Sequence, residues 1–135
     1  MARMLDERTL VDGQIDPAAL ADFAVEGVTM VINNRPDHED PGQPTSAEME
    51  TAAAACGIAY RHMPIARGMG PSDIEAMRAA LRAAGDGKVL AFCRSGTRSV
   101  LAWAVARSED GVARDELERC AEQAGFSLAP VAHLL

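Results

Sequence analysis

The stretch that decides the fold is residues 89–100, which reads VLAFCRSGTRSV. An apolar run ends at Cys93, a short polar loop with one glycine follows, and a helical pattern resumes around Arg98. This order predicts a buried strand that ends at Cys93 and a helix that carries Arg98 in its first turn. The loop amides and the positive end of the helix would form an anion-binding concavity around the sulfur. Because that field favours the thiolate over the thiol, Cys93 is a candidate nucleophile.

Composition places this loop in an ordinary globular background. The chain has 135 residues, of which 48% are hydrophobic and 24% charged, and this predicts one domain over 1–135. The net charge of −7 argues against nucleic acid or an anionic membrane as the main partner. Positive charge near the cysteine is therefore local, which suits a small anionic ligand.

Neither a targeting segment nor a metal site is expected from the sequence pattern. The first residues contain neither an apolar core nor a cleavage site, and no apolar run approaches membrane-spanning length. The three cysteines are unclustered, which is atypical of a disulfide framework and favours a reducing cytoplasm. The three histidines lie far apart, so neither a structural zinc site nor any other metal or cofactor is expected.

Short apolar runs alternate with helical patterns along the chain. Strands are predicted over 28–32, 58–63 and 88–92, and helices over 18–26, 45–55, 71–84, 97–107 and 114–124, with a final turn at 128–134. This alternation indicates an α/β layered sheet that is mainly parallel. Loops that follow parallel strands meet at one sheet edge, so 33–35, the loop with Arg67 and the cysteine loop should converge.

The chain resembles a known family over roughly residues 8–108. The segments that carry the resemblance are VINNRPD at 31–37, GQP at 42–44, GIAYRHMPI at 57–65 and CRSGTRS at 93–99. They resemble the phosphatase-like domain of bacterial beta-lactamase-hydrolase-like proteins, a branch of the cysteine-dependent phosphatases of the tyrosine and dual-specificity type. The resemblance implies a single domain with a four-stranded, mainly parallel sheet flanked by helices. It does not extend to the C-terminal helices at 114–134.

The resemblance also assigns roles within the cysteine loop. It implies that Cys93 is the nucleophile, that Arg98 binds the anion, and that Ser99 carries a hydroxyl that stabilises the leaving thiolate. The amides of the loop would form the anion cradle, which comprises Arg94, Ser95, Gly96, Thr97 and Arg98.

Two departures from the phosphatase pattern bear on the reaction. Only four residues separate Cys93 from Arg98, where tyrosine-phosphatase loops have five, and the shorter loop is similar to that of rhodanese-type sulfurtransferases. The segment 65–69 also lacks the aspartate that such phosphatases use as general acid. An alkoxide leaving group needs a proton, whereas sulfite or a thiolate leaves unaided. Both departures favour sulfur chemistry.

Three functional hypotheses follow from these patterns. The first is a sulfurtransferase that forms a persulfide on Cys93, with thiosulfate or a low-molecular-weight persulfide as donor and a thiol as acceptor. The second is a phosphomonoesterase with a phosphocysteine intermediate, in which water or a carboxylate (Asp37, Asp40 or Asp73) supplies the proton. The third is a non-catalytic anion-binding module. The oligomeric state is left open.

The residues around the loop have plainer interpretations. Arg35, Arg67, Asn34 and Asp37 are candidates for the rim of the pocket, although loop arginines are usually solvated and asparagines usually bond loop backbone. The acidic segment 37–40 is either a solvated tip or a lid. Cys56 and Cys120 are interpreted as inert thiols, and His62 as a structural histidine. Asp73 is explained by its place in the first turn of a helix.

Overall fold

A computed structural model describes residues 2–135 as one five-stranded sheet with helices on both faces. The strands are β1 (Arg3–Met4), β2 (Thr9–Asp12), β3 (Val28–Asn33), β4 (Ala59–His62) and β5 (Lys88–Phe92). The helices are α1 (Leu20–Val25), α2 (Ser46–Ala55), α3 (Pro71–Ala84), α4 (Thr97–Glu109) and α5 (Arg114–Gln123). Two 3₁₀ helices, Pro17–Ala19 and Ala129–Leu134, precede α1 and end the chain.

The sheet order is β1-β2-β5-β3-β4, with β5 in the centre. The pairs β2–β5, β5–β3 and β3–β4 are parallel, and only β1 pairs antiparallel, with β2. The expected α/β class and mainly parallel sheet are confirmed, but the expected count of four strands is wrong. The additional strand is the two-residue β1, which forms an antiparallel edge on β2.

Alternate residues of the central strand enter two separate cores. Val89 and Ala91 pack with α3, α4 and α5 on one face, whereas Leu90 and Phe92 pack with α1 and α2 on the other. A strand that is buried on both faces is expected in a parallel sheet whose crossover helices cover both sides. The continuous apolar run that ends at Cys93 is therefore the centre of the molecule.

Strand ends and crossovers place the polar loops at one edge. The chain returns from β2 to β3, which lies on the far side of β5, so the carboxyl end of β5 is flanked by the ends of both strands. Asn34 donates its backbone N–H to the carbonyl of Phe92 (2.8 Å), and Cys93 donates its own to the carbonyl of Asp12 (3.4 Å). The cysteine loop thus begins between two strand ends that are bonded to it.

No helix within residues 2–135 is long and apolar enough to cross a membrane.

Candidate active site

Cys93 lies fully buried directly after β5, and its sulfur is already in contact with the loop. The backbone N–H of Gly96 donates a hydrogen bond to Cys93 Sγ across 3.1 Å. α4 begins one residue later at Thr97, so the N-terminus of a 13-residue helix follows the sulfur. Both features place positive dipole ends near Sγ, as the sequence pattern predicts.

Both the backbone conformation at position 96 and the space around it require a glycine. Its φ of +96° lies in the left-handed region, and a Cβ atom there would come within 2.9 Å of the Phe126 ring. Phe126 follows α5, so the C-terminal part of the chain packs against the cysteine loop. Neighbouring hydroxyls of the loop are exposed, and Ser95 and Thr97 lie 3.2 Å apart, oxygen to oxygen.

Arg98 lies in the first turn of α4 and is anchored on one side by backbone. Its Nη1 donates to the carbonyl of Ile65 across 2.8 Å, which confirms that the loop after β4 meets the cysteine loop. The hydrogen bond to Glu39, together with electrostatic interactions with Cys93 and Glu39, raises the pKa of Arg98 above its ordinary value despite partial burial. Arg98 is thus a fixed, permanently charged group near the sulfur.

Glu39 occupies the guanidinium of Arg98 with both carboxylate oxygens. Arg98 Nη1 donates to Oε2 across 2.7 Å, and Nη2 donates to Oε1 across 2.9 Å. The same Oε1 accepts from Arg35 Nε at 2.9 Å. The hydrogen bond from Arg98, reinforced by Arg35, lowers the pKa of Glu39 to about 2, so the group is ionised at neutral pH. The acidic segment 37–40, which we term the lid, is therefore bound to the cysteine loop and the start of α4 through ion pairs.

Two local features determine the backbone path of this lid. His38 adopts a left-handed backbone (φ 65°), which is uncommon outside glycine and turns the chain just before Glu39. The side chain of Gln43 then accepts the backbone N–H groups of Glu39 (3.1 Å) and Asp40 (3.3 Å). The polar loop therefore has a defined path.

Arg35 is buried, and the interpretation as a solvated loop arginine is wrong. Its side chain is only 4% exposed. Besides Glu39, it donates to Asp40 Oδ2 (2.6 Å) and to Gln14 Oε1 (3.0 Å). A buried guanidinium persists only when its donors are satisfied, and two carboxylates and an amide satisfy them here. Arg35 thus binds both Glu39 and Asp40 from below and holds the lid in place.

The asparagines brace the loops, as the sequence analysis expects. Asn33 Oδ1 accepts the backbone N–H of Arg35, and Asn34 Nδ2 donates to the carbonyl of Met63, each across 2.9 Å. The buried Ser99 hydroxyl donates to Asn34 Oδ1 across 2.8 Å, so its one hydrogen is directed at Asn34 in this state of the site. His62 Nε2 lies 2.9 Å from the carbonyl oxygen of Arg35, which agrees with a structural histidine.

The aspartates considered as proton donors are engaged in other contacts. Asp37 accepts the backbone N–H of Ser46 at the start of α2 (2.7 Å), and Asp73 accepts that of Gly70 at the start of α3 (2.9 Å). Asp40 binds Arg35 and lies 3.2 Å from Nε of the largely exposed Arg94. Asp73 therefore lies in the first turn of α3, as expected, and it also accepts the N-cap amide there, whereas Asp40 joins the lid to the cysteine loop.

The remaining candidates lie apart from the sulfur. Arg67 is exposed in the loop after β4, whereas it is the carbonyl of Ile65 in that loop that contacts Arg98. Cys56 and Cys120 are half-buried free thiols, and burial raises the pKa of Cys120. Among residues 2–135, no cluster of three or more histidine, cysteine or acidic side chains is arranged to hold a metal ion.

Sequence reasoning missed two residues that shape the site. Glu39 was considered only as part of a polar segment, and Gln14 was not singled out. Gln14 supports Arg35 and also donates its backbone N–H to the carbonyl of Arg94 (3.2 Å). Both residues act across long sequence separations, and periodicity does not report such contacts.

A buried cysteine after the central parallel strand, a short amide loop and an arginine in the next helical turn define a cysteine-phosphatase-like domain. The family model for the phosphatase-like domain of beta-lactamase hydrolase-like protein matches residues 2–110. The chain therefore belongs to that family, as the resemblance implied.

Relatives and solved structures agree with this membership. The beta-lactamase hydrolase-like proteins of Xylella fastidiosa (strain Temecula1) and Agrobacterium fabrum are 36% and 33% identical over 126 and 128 residues. These matches cover 92% of this chain but only 29% of each relative, so the chain spans less than a third of their length.

Among solved structures, a proposed phosphatase from Neisseria meningitidis Z2491 is 32% identical, with a TM-score of 0.82 over 97% of this chain and 96% of its own. PTPMT1, at 15% identity, has a TM-score of 0.74 over 99% of this chain and 93% of its own, and shares the fold.

Proposed function

We propose that this domain transfers sulfur through a persulfide on Cys93. The Cys93 thiolate attacks the outer sulfur of thiosulfate, the S–S bond of the donor breaks, and sulfite leaves with the bonding electron pair. A low-molecular-weight persulfide would react at its outer sulfur in the same way, with a thiolate as the leaving group. A thiolate acceptor then attacks the outer sulfur of Cys93 and releases the cysteine as thiolate, which completes a two-step cycle.

The observation that carries this proposal is the bidentate ion pair between Glu39 and Arg98, which engages both oxygens of the carboxylate. The carboxylate that contacts Arg98 has a pKa of about 2, so at neutral pH it carries no proton to give to an alkoxide. Asp37 and Asp73 accept backbone N–H groups at helix starts, and Asp40 lies between two arginines. Sulfite and thiolates leave without a proton, so sulfur transfer suits this set of carboxylates. The loop of four residues between Cys93 and Arg98 supports the same reaction.

Intact-mass spectrometry after incubation with thiosulfate tests the proposal. The wild-type protein is expected to gain one sulfur atom, which a thiol acceptor then removes. Cys93→Ser is the control and should gain none, whereas Cys56→Ser and Cys120→Ser should behave as wild type. Absence of the adduct on wild type, with thiosulfate and with an organic persulfide, would contradict sulfur transfer.

Phosphomonoester hydrolysis is the second candidate, and the phosphatase-like fold of the structural neighbours favours it. In that reaction Cys93 would take the phosphoryl group, and water, or a carboxylate released from its present contacts (Asp37, Asp40 or Asp73), would supply the proton for the leaving group. Turnover of an aryl phosphate that is lost in Cys93→Ser, without any sulfur adduct, would support it. Anion binding without turnover of either substrate would instead support the third hypothesis, a non-catalytic anion-binding module.

A further inference from the structure

The lid presents a carboxylate to the same donors that an anionic substrate would use. Glu39 binds Arg98 through two nearly equal hydrogen bonds of 2.7 and 2.9 Å, a bidentate geometry that guanidinium groups also form with oxyanions. While this pair is intact, the Nη1–Nη2 edge of the Arg98 guanidinium is occupied by an internal ligand.

We propose that Glu39 is a specificity-determining residue that competes with oxyanion substrates for Arg98. An oxyanion that binds through the Nη1–Nη2 edge of the guanidinium must first displace Glu39, and its apparent affinity is reduced in proportion to the fraction of molecules in which that edge is free. A reactant that reaches Cys93 without using Arg98 avoids this penalty. The inference rests on the proposed anion-binding role of Arg98, and it holds for sulfur and phosphate chemistry alike.

The contacts around Glu39 allow displacement without unfolding the site. The Glu39 side chain is 25% exposed and belongs to a loop between β3 and α2, whereas Arg98 keeps its bond to the carbonyl of Ile65. Arg35 retains Asp40 and Gln14 as partners if Glu39 moves. Arg98 is thus held in place by a backbone contact that does not depend on Glu39.

The charge of Glu39, rather than its volume, should set this competition. A glutamine has nearly the same size and accepts one hydrogen bond from a guanidinium, but it lacks the negative charge and the second acceptor oxygen. Glu39→Gln is therefore the informative variant. Glu50→Gln, on the exposed face of α2, is a matched control for the change in net charge.

Protection of Cys93 by sulfate measures the competition directly. Wild type, Glu39→Gln and Glu50→Gln are alkylated with neutral iodoacetamide over a range of sulfate concentrations at constant ionic strength. Modification of Cys93 is followed by peptide mass spectrometry, which separates it from Cys56 and Cys120. Urea unfolding of each variant, followed through Trp103 fluorescence, verifies that the folded state is intact under the assay conditions.

We expect half-protection of Glu39→Gln at a sulfate concentration about tenfold lower than for wild type, with Glu50→Gln unchanged. Equal half-protection of wild type and Glu39→Gln would overturn the role of Glu39 and leave the anion site intact. Absence of protection in every protein would overturn this inference together with the anion-binding role of Arg98. The persulfide adduct is measured separately, so failure of sulfur transfer is distinguishable from both results.

Discussion

The backbone N–H of Gly96 donates to the sulfur of Cys93 across 3.1 Å. The nucleophile and one amide of its cradle are therefore in contact before any substrate enters. Such a fixed dipole stabilises negative charge on sulfur without reorganisation at the moment of reaction. This contact depends on the left-handed backbone of Gly96, which is the N-cap residue of α4.

Replacement of Gly96 by alanine should destabilise the domain and slow the reaction of Cys93. The new Cβ would meet the Phe126 ring at 2.9 Å in a backbone conformation that disfavours it, and we expect a loss of roughly 2–4 kcal/mol. Gly111→Ala is a matched control, because Gly111 has a φ of +98° but no atom near its Cβ position. Urea unfolding and iodoacetamide kinetics measure both effects. Equal losses in the two variants would show that contact with Phe126 does not matter.

The Ser99–Asn34 hydrogen bond should contribute measurably to stability. Both side chains are fully buried, and Ser99→Ala would leave Asn34 Oδ1 without its partner, at a cost of about 1–3 kcal/mol. A double-mutant cycle with Ser99→Ala and Asn34→Ala, measured by urea unfolding, isolates the pair. A coupling energy near zero would contradict this assignment. The rate of sulfur release from the Cys93 persulfide in Ser99→Ala then tests the role that the resemblance implies.

Strand prediction succeeded where the apolar run was long enough to carry a signal. The runs at 28–32, 58–63 and 88–92 became β3, β4 and β5, whereas β1 and β2 were missed. β1 has two residues, and β2 has the four residues TLVD after a charged segment. Their pairing is decided by the central strand, since β2 aligns in parallel with β5 about 80 residues later. The local sequence pattern of β2 contains no information about its pairing with β5.

In the site, too, the sequence predicts the residues that are close in the chain but not the contacts between distant ones. Cys93, Gly96 and Arg98 lie within one loop and the turn that follows it, and strand–loop–helix order locates them. The pair between Glu39 and Arg98 spans 59 positions, and the polar composition of 37–44 does not encode which way a carboxylate points. Burial of Arg35 likewise depends on Gln14 and Asp40, which come from different loops.

Arg98→Lys should lower the rate of persulfide formation from thiosulfate by roughly 100-fold. Lysine keeps the charge but cannot present two parallel N–H groups to an oxyanion while it holds the carbonyl of Ile65. Arg94→Lys is the matched control, because its side chain is 65% exposed and it should change the rate by less than about threefold. A quenched time course analysed by intact-mass spectrometry measures both rates. A similar rate in the two variants would contradict the assignment of Arg98 as the anion ligand.

The Glu39 ion pair should make stability depend on acid pH. The pKa of this carboxyl is about 2 in the folded protein against an ordinary 4.5, so the unfolded chain binds the proton more readily. The contribution is therefore fully present above about pH 4.5 and is lost as the pH falls through about 2. Urea midpoints of wild type and Glu39→Gln should differ at pH 7, with wild type more stable, and converge towards pH 2. A difference that stays constant from pH 7 to pH 2 would mean that the charge of Glu39 does not stabilise the lid.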